Sequence, residues 1–330
     1  MQRRIFSGQR RRWLGAALGG FAAYALAQSS GKGAPRRLGI LAGGVRDVEM
    51  RNWEPMLRTL ASLGYSEGSN LGLDWRFAEN SPERLADLAR ELVRARVDAV
   101  ATMGSRATRA LQQATRTIPV VTGAVGDPIL GGFAQTLARP GGNITGLSLG
   151  GTEIAQLQVS LLRTIVPKLA RLVIVRGGSE SEREIVGPMA EAAKAAQLVA
   201  VPVVVSDMAG LEGAFRGTRT PGASAAFIYD ADRVEAEQVA SAALRHRVAT
   251  MFPDRRWVSA GGLMSYSMYH EDRMQRIATI VDKVLRGTNP GDYPFELPTN
   301  SHFALNMRTA TALKLAVPST FLARVDEVIE

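Results

Sequence analysis

The 330-residue chain contains no cysteine. Disulfides, thiolate metal sites, a cysteine nucleophile and a lipid anchor on cysteine are therefore excluded. Histidine is scarce: His246, His270 and His302 are the full set, and no H-E-x-x-H spacing occurs. No metal site is expected from so few ligands, and His246 and His270, on charged helical stretches, read as surface residues. Both phosphate-cradling patterns, G-x-x-x-x-G-K-[ST] and G-x-G-x-x-G, are missing, so no nucleotide cofactor is expected, nor any other. What is present is ordinary for a soluble globular protein: 46% hydrophobic and 22% charged residues, in a chain long enough for two compact lobes.

The longest apolar stretch is Trp13 to Leu26, too short for a comfortable membrane span. It follows a basic segment with Arg3, Arg4 and Arg10–Arg12 and ends in Ala25-Leu26-Ala27, an A-x-A cleavage pattern. Residues 1–27 therefore read as an export signal cleaved near Ala27, with 28–35 as a linker. Arg10-Arg11-Arg12-Trp13-Leu14 resembles the twin-arginine motif; the general secretory route stays open. The formal net charge of +9 falls to +4 once the five arginines of the leader are set aside. A balance that modest argues against a nucleic-acid partner. Periplasmic residence without a lipoprotein anchor is expected.

Beyond the leader, apolar strand-like runs alternate with helical patterns. "RRLGILAGG", "LGLDWRFAE", "DAVATMG" and "IPVVTGAV" read as strands in the first half, "ARLVIV", "LVAVPVVV", "AAFIYD", "VATMF" and "WVSAGGLMSY" in the second. "SPERLADLARELVRARV" is helical, with Ser81 placed to cap and Pro82 in the first turn. "EDRMQRIATIVDKVLRG" is a second strong helix, followed by the Pro-rich connector "TNPGDYPFELPTN". Strands separated by helices predict an α/β fold with two Rossmann-like lobes built on parallel sheets. In such sheets a ligand sits at the carboxyl ends of the strands. The loops after Gly43, Gly104, Val125, Val175, Tyr229 and Ala260 are thus the ones to watch.

Several polar groups fall on those loops. Ser105 opens a helix, where main-chain N–H groups attract an anion such as a carboxylate; it also suits a simple cap. Asp127, ahead of Pro128, and Asp230 could each receive an ammonium group or cap the next helix. Tyr229 and Tyr266 end strand-like runs and could stack on a ligand or on the core. A helix-terminus anion site facing a carboxylate would suit a zwitterion. Gly146-Leu147-Ser148-Leu149-Gly150 matches the G-x-S-x-G elbow of serine hydrolases, and Asp230 or Asp254 with His302 would complete the order Ser–acid–His. No HGGG-type stretch precedes it, which favours a strand of small residues leaving one lobe for the other.

The order and wording of five stretches carry a resemblance. "RRLGILAGG", "LRTLASLGYSEGSNLGLDWRFAE", "TIPVVTGAVGDPILGGFAQTLARPGGNITG", "SAGGLMSYSMYHEDRMQRIATIVDKVLRGTNPGDYPFELPT" and "FALNMRTATALKLAVPSTFLARVDEVI" together resemble a family of ABC-transporter substrate-binding proteins whose characterised members include tryptophan- and phenylalanine-binding proteins. The resemblance runs from about Arg36 to Ile329. It implies a type I periplasmic binding fold, with an N-lobe of residues 36–149 plus about 266–297 and a C-lobe of 150–265 plus about 298–330, joined by a multi-strand hinge. It implies a monomer that closes over a small molecule, such as an amino acid or related carboxylate, without catalysis, and passes it to a permease served by a separate ATPase. Gly126-Asp127-Pro128 would line the cleft and Asn143 would hold a turn; Gly43, Gly44, Ser105, Gly178, Ser179, Tyr229, Asp230, Gly262 and Tyr266 are the other candidate contacts. Two departures stand near that cleft. Gly177-Gly178 replaces a frequent Asn-Pro, and Ser265-Tyr266-Ser267 replaces a frequent S-Y-G. The alternatives are an exported serine hydrolase using Ser148 and a ligand-sensing module for a membrane receptor.

Overall fold

A computed structural model describes residues 34–177, 182–217, 224–229 and 234–330. The segment expected to be an export signal, with its expected cleavage site near Ala27, and Gly178, Ser179 and Asp230 lie outside the described residues.

Strands β1 (Arg36–Ala42), β2 (Leu71–Phe77), β3 (Ala99–Met103), β4 (Val120–Val125) and β5 (Ile144–Ser148) form a parallel sheet in the order β2-β1-β3-β4-β5. Helices α1 (Arg46–Ser62), α2 (Leu85–Arg94) and α3 (Ser105–Ala114) connect them. α2 shows why: Leu85, Leu88, Ala89 and Leu92 recur at helical spacing and all face inward. Because helices cover both faces, the inner strands β3 and β4 are almost wholly buried, whereas the edge strand β2 alternates and carries Asp74 and Arg76. Ile40 packs with Trp53 and Met56 on one face, and Leu41 with Leu88 and Leu111 on the other.

The chain then crosses to a second sheet through Leu149–Gly151 and α4 (Thr152–Ile165). There β6 (Arg171–Arg176), α5 (Glu182–Ala195), β7 (Val199–Val204), α6 (Met208–Arg216), β8 (Ser224–Ile228), α7 (Ala236–Arg245), β9 (Ala249–Phe252), α8 (Arg255–Ser259) and β10 (Met264–Met268) follow in sequence. Helix α9 (His270–Leu285) returns to the first sheet. Its Met274, Ile277, Ala278 and Val281 join the cluster of Ile40 and Trp53, each large aliphatic side chain contributing about 1.5–3 kcal/mol by burial. Finally β11 (Ser301–Asn306), α10 (Met307–Ala312), α11 (Ser319–Leu322) and β12 (Glu327–Ile329) complete a seven-stranded sheet, β12-β11-β10-β9-β8-β6-β7.

Three features depart from the sequence reading. "WVSAGGLMSY" is not one strand: Asp254 accepts the Arg256 N–H at 2.9 Å and starts a short helix, and the strand begins only at Met264. The second sheet is not wholly parallel, since β11 runs antiparallel to β10. The chain arrives at β11 from the first sheet's side, at the carboxyl ends of its neighbours, and must run away from that edge. β10 also stays in the second sheet past the expected crossover near Tyr266, because every residue through Met268 is paired to β11.

Candidate functional site

The carboxyl ends of the two sheets face each other, and a pocket lies between them. Its aromatic wall is Phe227, Tyr229 and Tyr266. Tyr266 leans on Phe303 at 6.2 Å and 60°, and Phe303 on Phe321 at 5.3 Å and 85°. This edge-to-face series fixes the ring. Its aliphatic surface is Leu149, Ile154 and Met189, and its polar side chains are Glu184, Gln158 and Ser267. Gln158 is held in place by donating from Nε2 to the Tyr266 carbonyl at 3.0 Å.

The opposing wall is main chain. Gly126 follows β4, whose end carries a bulge between Thr122 and Val125 and an Ala124 with φ of 56°. Such irregularities re-aim a strand end and concentrate at functional sites. Gly126 is then fixed from behind. Its N–H donates to Ser105 Oγ at 3.2 Å, and its carbonyl accepts from Ser148 Oγ at 2.9 Å. Across the gap, the Asp127 N–H donates to the Glu184 carbonyl at 2.9 Å, and Arg109 Nη2 lies 3.1 Å from Glu184 Oε2. A Cβ on Gly126 would stand 2.5 Å from the Glu184 carbonyl oxygen, so the loop's glycines permit a main-chain approach between the two halves.

A charged group lies beside the pocket where β10 passes into α9. Arg273 is 5% exposed and donates from Nη2 to the Met268 carbonyl at 2.9 Å, with Asp254 at 4.0 Å. Burial alone would push the Asp254 carboxyl up, but the charges of Arg256 and Arg273 and the N–H donation from Arg256 hold it below the usual range. Burial also lowers Arg273, against the pull of Asp254.

The sequence candidates separate into groups. Tyr229 and Tyr266 line the pocket. Asp127 borders it, but its Oδ1 accepts the N–H groups of Ile129 and Leu130 at 2.8 and 3.0 Å; the turn-capping role is the one it takes. The Pro128 carbonyl accepts from Phe133 and Ala134 and shapes the same turn. Ser105 is the first residue of α3, which has no side-chain cap, and its Oγ accepts the Gly126 N–H from behind the loop. Gly43 and Gly44 sit at the carboxyl end of β1, where Gly44 N–H donates to Glu49 Oε1 at 3.0 Å, and they are not part of this pocket's lining.

Two candidates belong to the wrong edge of their sheets. Asn143 precedes β5 and donates from Nδ2 to the Ile118 carbonyl at 2.7 Å, holding a turn at the end opposite the gap. Gly262 precedes β10 and is packed under Phe252 and the Trp257 carbonyl. His270 is not a surface residue: its Nε2 lies 2.7 Å from the Asn52 carbonyl and its Nδ1 is buried. Glu184 and Gln158 were not anticipated, and Ser267 was marked only as part of the Ser265-Tyr266-Ser267 departure near the cleft. Glu184 had a signal, as an acid in the first turn of a helix following a glycine pair; Gln158 had none beyond its place on an amphipathic helix.

The hydrolase constellation does not assemble among the described residues. Ser148 Oγ donates to Gly126 and accepts from the Gly150 N–H at 3.0 Å. His302 is stacked on Tyr269 at 3.8 Å between ring centres and faces Glu327 at 3.7 Å, while Asp254 is engaged by Arg256. Also among the described residues, no helix is long and apolar enough to cross a membrane.

Comparison with known proteins agrees with this geometry. A tyrosine-binding protein of Clostridioides difficile (strain R20291) is 23% identical over 267 residues, covering 78% of this chain and 75% of that protein. The crystal structure of an ABC domain in complex with L-Trp from Streptococcus pneumonia superposes with a TM-score of 0.78 at 22% identity, covering 90% of this chain and 100% of that one. A conserved domain protein from Vibrio cholerae gives 0.79 at 22% identity, over 89% and 99%. The family model for ABC transporter substrate binding proteins matches residues 49–329. With two facing α/β lobes and a pocket between them, the chain belongs to the ABC transporter substrate binding protein family, and as such is a binding component that takes a small molecule to a membrane permease.

Proposed function

We propose that this chain captures an amino acid with an aromatic side chain in the periplasm and delivers it, as a monomer, to a permease driven by a separate ATPase. The observation that carries the reading is the composition of the pocket. Three aromatic rings and an aliphatic surface suit a flat apolar side chain, while the Glu184 carboxylate suits an ammonium group. Gly150 and Gly151, half-buried in the lining, let main chain come close to a ligand's polar end. The tyrosine-binding and L-Trp-complexed relatives support the same chemical class. The basic, apolar and A-x-A pattern of residues 1–27 supports export.

Ligand would bridge the halves and shift the open–closed balance toward closure. The experiment is a thermal-shift and calorimetric screen of the purified chain with L-tryptophan, L-tyrosine, L-phenylalanine, aliphatic amino acids and aromatic acids lacking the amine. A ligand at a hundred times its Kd stabilises by about 2.7 kcal/mol. Aromatic amino acids should raise the melting temperature and the amine-free acids should not. Equal stabilisation by both would remove the role given to Glu184, and stabilisation by none would remove the ligand class.

A further inference from the structure

We propose that Arg109 is a positioning residue for ligand capture, acting from the first lobe through Glu184 of the second. Arg109 is not part of the pocket lining, yet its guanidinium reaches across the gap to the carboxylate that is. The Glu184 side chain is 2% exposed and the Arg109 side chain 25%, so the contact lies at the mouth of the gap with its acid on the dry side.

The guanidinium is prepared for this contact by its own lobe. It lies over the Phe133 ring at 4.4 Å, and Nη1 donates to Gln112 Oε1 at 2.7 Å. These contacts persist when the lobes part; the one to Glu184 cannot. Closure strips water from the Glu184 carboxylate, which is costly unless charged donors replace it. Arg109 is one such donor, and it is delivered by the closing motion itself. The fit around it is tight, since a Cβ on Gly131 would stand 2.7 Å from Glu184 Oε2. The main-chain bond from Asp127 to the Glu184 carbonyl adds a second tie at the same residue. Closing is therefore favoured by protein contacts as well as by ligand, and Arg109 holds the Gly126 wall at its working distance from Glu184. This rests on the reading of the chain as a protein that closes over its ligand.

The test uses the full chain, which has no native cysteine, with dyes on Gln113→Cys and Lys194→Cys. These exposed positions lie on α3 and α5, the helices that carry Arg109 and Glu184. Energy transfer between the dyes is read with and without L-tryptophan, in the parent and in the Arg109→Met, Arg109→Lys and Glu184→Gln variants. Arg109→Met should lower transfer in the ligand-free protein and speed L-tryptophan release by at least about tenfold, the equivalent of one charged hydrogen bond. Arg109→Lys should recover most of both, and Glu184→Gln should reproduce the ligand-free change from the other side. Parent-like transfer and release in Arg109→Met would overturn the proposal, as would a loss that Arg109→Lys leaves uncorrected. If the parent does not bind L-tryptophan, that ligand assignment fails while the ligand-free comparison still decides the role of Arg109.

Discussion

The Asp127 N–H donates to the Glu184 carbonyl at 2.9 Å, joining the loop after β4 to the first turn of α5 across the interlobe gap. Glu184 therefore serves both as wall and as contact, and small changes beside it should alter binding more than folding.

Gly126→Ala places a methyl 2.5 Å from that same carbonyl oxygen. The main chain of one lobe would have to back away from the other. Closure should be disfavoured by about 1–3 kcal/mol, lowering ligand affinity by about five- to 150-fold. The melting temperature of the ligand-free chain should change little. Calorimetry beside thermal unfolding separates the two, and an unaltered Kd would show that the lobes do not meet here in solution.

Ser148→Ala removes a hydroxyl that bonds Gly126 and Gly150. Leaving the buried Gly126 carbonyl without that donor should cost about 1–3 kcal/mol of stability. Any ester turnover by the preparation should be unaffected. Turnover that vanishes in this variant, with folding intact, would restore the hydrolase reading.

Gly146→Ala is expected to be far more damaging. Gly146 has φ of 147°, and its Cβ would fall 1.8 Å from the Thr122 carbonyl oxygen. Neither β4 nor β5 can move without breaking the sheet, so a loss above about 4 kcal/mol is expected. Denaturant unfolding with a midpoint close to the parent's would contradict the register of these two strands.

Acid should destabilise the fold through its histidines. Burial holds His270 and His302 below the ordinary value of 6.5. The unfolded chain therefore takes up protons first as pH drops through 6.5, and stability declines toward the lower folded values. Glu49 acts in the other direction, because burial raises its carboxyl and its ionisation costs stability as pH rises. Melting temperatures from pH 7.5 down to 5 should fall, and fall less steeply in His302→Gln. Identical slopes would assign the acid sensitivity elsewhere.

Much of this molecule was legible as text. The apolar spacing of Leu85, Leu88 and Leu92, the run "ARLVIV" and the helix after His270 follow from local periodicity, because a helix or a buried strand must present its apolar residues at a fixed repeat. The strand–helix alternation then placed the gap at the strands' carboxyl ends, and with it Tyr229, Tyr266 and the Gly126 loop. Local pattern also misled where a neighbour overruled it. Asp254 turned a strand-like run into a helix, and Asn143 and Gly262, credible as loop residues, sit at the far edges of their sheets.

What the sequence determined by itself is the set of elements, because each is written in residues close together along the chain. What only the tertiary structure decided is the meeting of Arg109 with Glu184, 75 positions apart, and the direction of β11. Both depend on the chain leaving one sheet for the other and returning. No short-range pattern encodes that passage, since the free energy that fixes it comes from surfaces brought together only after the elements have formed.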